Sequence, residues 1–266
     1  MTISLRSPLG IAMLILAALA FGYLLLPILV VVAAPLGDTG YLAFPPRGLT
    51  LKWYAVALHD TRYLTALLVS LRIAVVSAFI ACTLGVSAAY ALTRFDFPGR
   101  RLLEAVFLSP LILPTLVLAV GLTLFFTRTG LLTGPWKLVA GHVIVCTPYV
   151  LRVSLPVLRR FDRSLEEAAR NLGASPVAAF FLVVLPVVRP GIVAGTVLAF
   201  ITSFDEVVLA LFLAEPGAPT LPVTIYSAVQ LGFEPSVAAV SGLLVLATLG
   251  FMLLYHLSSS LGRSRN

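Results

Sequence analysis

The sequence predicts an all-α, polytopic membrane protein with about six transmembrane helices. Three observations carry this expectation. Of the 266 residues, 60% are hydrophobic and only 11% are charged, and the mean hydropathy is +1.06. A soluble domain has nowhere to bury so much apolar surface, whereas a bilayer does. The apolar residues gather into six long runs, near 11–34, 64–92, 103–127, 137–158, 187–213 and 236–258. Each run provides the roughly 20 residues that a helix needs to cross about 30 Å of hydrocarbon. The charges cluster in the short segments between these runs, so the net +7 reflects membrane topology and does not point to a nucleic-acid partner.

The first run follows a short head containing Arg6. It is longer than the apolar core of a secretion signal and further spans follow, so it reads as a retained first span. In the outer loop Pro35 to Arg62, the stretch Leu49-Thr50-Leu51-Lys52-Trp53-Tyr54 reads either as a short interfacial helix or as a simple aromatic anchor beside a lysine. Trp136 and Lys137 repeat the pattern at the start of the fourth run. Pro110 and Pro114 interrupt the third run, where they either let the helix flex or set a static kink. The fifth run carries Gly191-Ile192-Val193-Ala194-Gly195, a small-xxx-small packing face. Glu215 to Thr220 forms an outer turn, and Leu221 to Val229 beyond it either re-enters the membrane or touches a partner. Cys82 and Cys146 lie inside apolar runs without metal or redox spacing and read as packing residues. His142 and His256 stand alone, so no metal site is expected, and no catalytic residues are expected either.

Orientation follows from Lys and Arg in the short loops. With the N-terminus in the cytoplasm, the inner segments hold Arg6, Arg94, Arg100, Arg101, Arg152, Arg159, Arg160, Arg163, Arg170, Arg189, Arg263 and Arg265. The outer segments hold only Arg47, Lys52, Arg62, Arg128 and Lys137. Both termini are therefore expected on the cytoplasmic side.

The most informative segment is the polar connection between the fourth and fifth runs, Ser164 to Pro186. Ser164-Leu165-Glu166-Glu167 fits a capping box, with the Ser164 hydroxyl on the Glu167 amide and the Glu167 carboxylate reaching back to the Ser164 amide. Ala168, Ala169 and Arg170 are good helix formers. Gly173 sits where a left-handed residue would end that helix, and Ser175-Pro176 reads as an N-cap followed by proline at the first helical position. A long, carefully capped connection lined with alanines invites the close approach of another surface, with Glu167 and the arginines able to pair at its rim.

Glu167-Ala168-Ala169, three residues, Gly173, nine residues, Val183, one residue and Leu185-Pro186 resembles the "EAA" loop of ABC importer permeases, with valine where isoleucine is common. The resemblance extends over residues 60–260. It includes Ser70-Leu71-Arg72, the stretch Arg94 to Arg100, Leu108 to Pro114 and Ser203-Phe204-Asp205-Glu206-Val207, all similar to the spermidine/putrescine-type branch. The resemblance implies the type I importer permease fold. It divides the chain into 1–60, a first transmembrane helix with an outer interfacial segment, and 61–260, the permease core with a coupling helix at 164–186. Glu167, Ala168, Ala169, Gly173, Leu185 and Pro186 would then form the ATPase-coupling contact. The sequence has no GxxxxGK[ST], so no cofactor is expected on this chain and ATP is expected on a partner. The implied partners are a cytoplasmic ABC ATPase dimer, a second permease subunit of a different chain, a periplasmic or extracellular substrate-binding protein and membrane lipid. The implied location is the bacterial inner (plasma) membrane.

Two acids, Asp205 and Glu206, fall inside the fifth run. Charges in lipid cost several kcal/mol, so these acids should face protein or water. Counted from Pro186 at 1.5 Å per residue they lie about 28 Å along the helix, in the outer half of the membrane. If the glycine stripe packs on a neighbouring helix, Asp205 is the better pore-facing candidate. Two readings stay open: an ion pair within the bundle, with Arg72, or an acidic patch for a cation in transit. A polyamine suits the second, because its ammonium groups want carboxylates and its methylenes tolerate aromatic walls such as Phe200, Phe204 and Tyr226. The competing functions are the same importer carrying an opine, an amino-acid derivative or an anion, and a secondary transporter that needs no ATPase. The latter would need inverted repeats, which are not evident.

Overall fold

The computed structural model describes residues 8–232 and 234–263. Arg6 and Arg265, which contribute to the charge bias, lie outside the described residues. In chain order the helices are α1 (Pro8–Ala33), running into a tight 3-10 turn at Ala34–Leu36, α2 (Lys52–His59), α3 (Thr61–Arg94), α4 (Arg100–Leu108), a 3-10 turn at Ser109–Leu111, α5 (Thr115–Thr129), α6 (Pro135–Arg160) and α7 (Arg163–Asn171). There follow α8 (Pro176–Ala179), a π-helical turn at Phe180–Val184, α9 (Leu185–Asp205), α10 (Val208–Leu213), α11 (Leu221–Leu231) and α12 (Pro235–Arg263). No β-strand occurs among the described residues.

Five stretches are long and apolar enough to cross a membrane: Leu9–Leu36, Thr61–Arg94, Pro135–Arg160, Pro176–Asp205 and Pro235–Leu253. A sixth exists only if α4 and α5 are counted together, and they meet at 103°. The third expected span, 103–127, is therefore two helices. Pro110 and Pro114 supply no amide donors; Pro110 lies in the 3-10 turn that ends α4, and Pro114 is extended at ψ 126° at the start of α5. α4 is unsuited to hydrocarbon in any case, because it carries Arg100, Arg101 and Glu104, and Glu104 pairs with Arg159 at 3.3 Å. The fifth expected span, 187–213, is also corrected. It begins in the elbow and stops at Asp205, where Glu206 turns extended (φ −74°, ψ 110°) before α10.

The chain forms two compact units, Met1–Leu64 with Ile225–Asn266, and Thr65–Thr224. This division falls elsewhere than the 1–60 and 61–260 expected from the sequence. In the first unit α12 packs on α1 and α2. The aromatic pair beside Lys52 is used internally: the Tyr54 hydroxyl donates to the Val32 carbonyl at 2.7 Å and Trp53 Nε1 donates to the Gly37 carbonyl at 3.1 Å.

In the second unit α6 is the central helix, the most buried of the candidate spans. Lipid is as apolar as leucine, so burial alone does not hold such helices together; close van der Waals contact between small residues does. α9 accordingly presents Gly191, Gly195 and Ala199 to α6, against Val157, Val150 and Cys146 respectively. The Cys146 thiol donates to the Ala199 carbonyl at 3.3 Å. One turn further along, His142 Nδ1 and the Ser203 hydroxyl lie 2.7 Å apart, both buried, while His142 Nε2 has no partner. α11 spans 11 residues, too short to cross, and its first amide is capped by the Ser70 hydroxyl at 2.8 Å.

Candidate functional site

The connection between α6 and α9 is a two-armed elbow built from α7 and α8. α7 starts earlier than the sequence pattern suggests. Its N-cap is Asp162, whose carboxylate accepts the Ser164 amide at 3.0 Å; that bond holds the Asp162 carboxyl below the usual carboxylate range. The expected Ser164–Glu167 capping box does not form. At the other end the Gly173 amide donates to the Arg170 carbonyl at 3.0 Å and the Ala174 amide donates to the Ala169 carbonyl at 3.1 Å, the double closure of a Schellman motif. This turn needs Gly173 at φ +97°, a conformation that side chains with a Cβ resist. Ser175 then caps α8, its hydroxyl accepting the Ala178 amide at 3.2 Å, with Pro176 in the first helical position.

The adjacent acids of α7 point different ways, as neighbours about 100° apart on a helix must. Glu167 is exposed and, with Arg170, Asn171, Ala174 and Pro176, lines an open groove of about 320 Å³. Ala168 and Gly173 are exposed and Ala169 is half-buried. Leu172, beside the turn, is 89% exposed, and Val177, Phe181 and Leu182 are exposed as well. Leu185 is half-buried at the start of α9 and packs on the α6–α9 core, whereas Pro186 beside it is exposed. The elbow thus offers a mixed apolar and charged surface that is exposed among the described residues. That composition suits a soluble protein surface better than lipid.

Glu166 is turned inward. Its Oε1 accepts from the Tyr90 hydroxyl at 2.5 Å. Its Oε2 lies 2.7 Å from Arg94 Nε, a charge contact rather than an aligned hydrogen bond, with the Arg94 and Glu166 side chains 8% and 11% exposed. The Arg94 guanidinium also lies over the Phe161 ring at 5.1 Å and the Tyr90 ring at 5.6 Å. Arg163 Nη2 donates to the Thr93 carbonyl. The Tyr90 ring meets Phe180, at the far end of the elbow, edge to face at 4.9 Å. Sequence reasoning misses this cluster, because in the chain Arg94 and Arg163 read only as topological charges. The available signal is the spacing of Tyr90 and Arg94, four residues apart on one face of α3.

At the other end of α9 the two acids separate. Asp205 is exposed and makes no hydrogen bond or ion pair among the described residues. Glu206 is half-buried, and its Oε1 accepts the amides of Val208 at 2.9 Å and Leu209 at 3.1 Å, at the start of α10. Among the described residues neither acid pairs with Arg72. Arg72 instead lines a cavity of about 300 Å³ with Trp136 and Glu215. Phe204 is half-buried and stacks on Phe200 at 6.1 Å between centroids. Tyr226 is exposed and belongs to the other compact unit. No three His, Cys, Asp or Glu side chains gather in a metal-binding group among the described residues.

Residues 81–263 match the family described as binding-protein-dependent transport system inner membrane component. The putrescine transport system permease protein PotI of Escherichia coli K12 is 36% identical over 260 residues, covering 94% of this chain and 91% of that protein. The spermidine/putrescine transport system permease protein PotC of the same strain is 32% identical over 229 residues, covering 86% of each. Among solved structures, a bacterial ABC transporter involved in importing the acidic polysaccharide alginate superposes with a TM-score of 0.74 at 19% identity, covering 98% of each chain. The MetNI methionine ABC transporter superposes with a TM-score of 0.59 at 21% identity, covering 73% of this chain and 91% of that one.

Proposed function

The chain belongs to the family of binding-protein-dependent transport system inner membrane components and is a permease subunit of an ABC importer, and on that premise we propose how it is driven and what it carries. The exposed elbow of α7 and α8 is the seat of a cytoplasmic ABC ATPase dimer, with Glu167, Ala168, Ala169 and Gly173 at the contact and Leu185 and Pro186 passing the motion into α9. ATP is bound by that partner, and this chain needs no cofactor of its own. A second permease subunit completes the pore, and a substrate-binding protein delivers cargo from outside. The chain lies in a bacterial inner membrane with both termini cytoplasmic.

The cargo is a polyamine or a similar cation. The observation that carries this reading is the exposed, unpaired carboxylate of Asp205 at the end of a membrane-spanning helix. A charge is held there at a cost unless water or a passing cation meets it. The relatives PotI and PotC, named for putrescine and spermidine, support the same class. Phe204 stands beside Asp205 and offers a ring face to methylene and ammonium groups; Glu206 and Tyr226 complete the proposed pathway.

The test is uptake by the assembled transporter, this chain with its ATPase, second permease and binding protein, in proteoliposomes. The expected result is ATP-dependent uptake of labelled putrescine, suppressed by excess spermidine and unaffected by anionic or neutral solutes. Uptake confined to an anion or a neutral sugar overturns the cation reading and leaves the permease assignment standing.

A further inference from the structure

The elbow is continuous with α9 through the backbone, so α9 is its obvious outlet. The buried cluster behind α7 supplies a second one. Four contacts converge on the last turns of α3. The Tyr90 hydroxyl and the Arg94 guanidinium both meet the Glu166 carboxylate. The Thr93 carbonyl receives Arg163, and the Tyr90 ring packs on Phe180. Tyr90 therefore touches the elbow at two places, α7 through Glu166 and the π-helical turn after α8 through Phe180.

A contact transmits displacement only if it resists being pulled apart. Buried charge pairs do, because separation leaves each charge uncompensated away from water. Among the described residues Glu166 is the acid that pairs with Arg94, while Arg163, on the same helix as Glu166, is held by the Thr93 carbonyl. Both of its carboxylate oxygens are engaged, one by each α3 residue.

We propose that Glu166 is a positioning residue that clamps the elbow to the end of α3 through Tyr90 and Arg94, so that displacement of the elbow moves α3 together with α9. The proposal rests on the reading of the elbow as the seat of the ATPase. It differs in kind from the role given to Glu167, which is exposed on the outer groove of the elbow. Loss of Glu167 weakens docking, whereas loss of Glu166 leaves docking intact and lets the docked elbow move without its load.

The experiment uses the full transporter in proteoliposomes and measures two quantities: ATPase subunit retained through purification, and cargo taken up per ATP hydrolysed. Glu166→Ala is expected to retain the ATPase while cargo per ATP falls about fivefold or more, the lower end of ordinary coupling between two sites. Glu166→Gln, whose amide oxygen still accepts from Tyr90, is expected to fall in between. The exchange Arg94→Glu with Glu166→Arg is expected to recover much of the ratio lost in either single variant. An unchanged ratio in Glu166→Ala overturns the clamp while the ATPase seat stands. So does a drop in ATPase retention that matches the drop in uptake, or an exchange variant no better than the singles. A wild-type chain that retains no ATPase overturns the seat and the clamp together.

Discussion

A Cβ placed on Gly195 would lie 3.2 Å from Val150 Cα and 3.4 Å from the Val150 carbonyl oxygen, so α9 touches the backbone of α6 at this point. Both neighbours are backbone atoms of a helix and give only by moving α6. Gly195→Ala gains about 1 kcal/mol of helix propensity against a displacement of a few tenths of an ångström, and is expected to be near neutral. Gly195→Val adds an isopropyl group to a filled contact and is expected to cost about 1–3 kcal/mol. Thermal melts of the purified complex in detergent check the order; equal melting temperatures for the two variants would mean that α6 and α9 do not touch here.

His142 and Ser203 form the one hydrogen bond between two side chains of α6 and α9 among the described residues. Ser203→Ala leaves His142 buried with neither ring nitrogen paired and is expected to destabilise by about 1–3 kcal/mol. Replacing both, His142→Leu with Ser203→Ala, removes the orphaned group and is expected to restore most of that stability. A double variant as unstable as the single one would show that the pair holds something beyond its own bond.

At Gly173 nothing lies within 4 Å of the place a Cβ would take, so glycine is required there for its backbone and not for space. Gly173→Val is expected to open the turn, at a cost of about 1–3 kcal/mol, and to lower ATPase retention and uptake together. Gly173→Asn is expected to be milder, because asparagine tolerates positive φ better than a β-branched residue does. Affinity purification of the co-expressed ATPase reads the difference, and full retention by Gly173→Val would count against the elbow as the docking surface.

Asp205 and Glu206 are expected to behave differently although they are adjacent. Asp205→Asn removes a free charge and no protein contact; it should raise the KM for a cationic cargo about tenfold, the equivalent of about 1.4 kcal/mol for one charged contact, with stability unchanged. Glu206→Gln keeps an oxygen for the Val208 and Leu209 amides and is expected to change little, whereas Glu206→Ala is expected to cost about 1 kcal/mol of stability, as the loss of a helix cap does. A cargo affinity that depends on Glu206 and not on Asp205 would reverse the assignment.

Much of this is legible in the chain. The apolar runs locate every long helix, and Gly173 with Ser175-Pro176 marks the turn of the elbow, because left-handed glycine and the serine cap are strictly local devices. The start of α7 is not legible, since Asp162 and Ser164 are both good caps and the buried seat of Glu166 on α3 is a distant contact. Nor is the 103° bend between α4 and α5; two prolines announce a break, but its angle is a property of the packed structure and not of the local sequence. The fate of Glu206 is hidden for a similar reason. An acid inside an apolar run reads as a membrane charge until the helix is seen to stop and use that carboxylate to start the next one.

The π-helical turn Phe180–Val184 sets the phase between the elbow and α9. Such a turn holds one residue more than an α-helical path would. Removing that residue would wind the elbow about 100° around the axis of α9 and draw it about 1.5 Å inward. Tyr90 and Arg94 would then no longer face Glu166, and a different rim would look outward. Chain length in this segment is thus a gauge that fixes which side of the elbow a visitor meets.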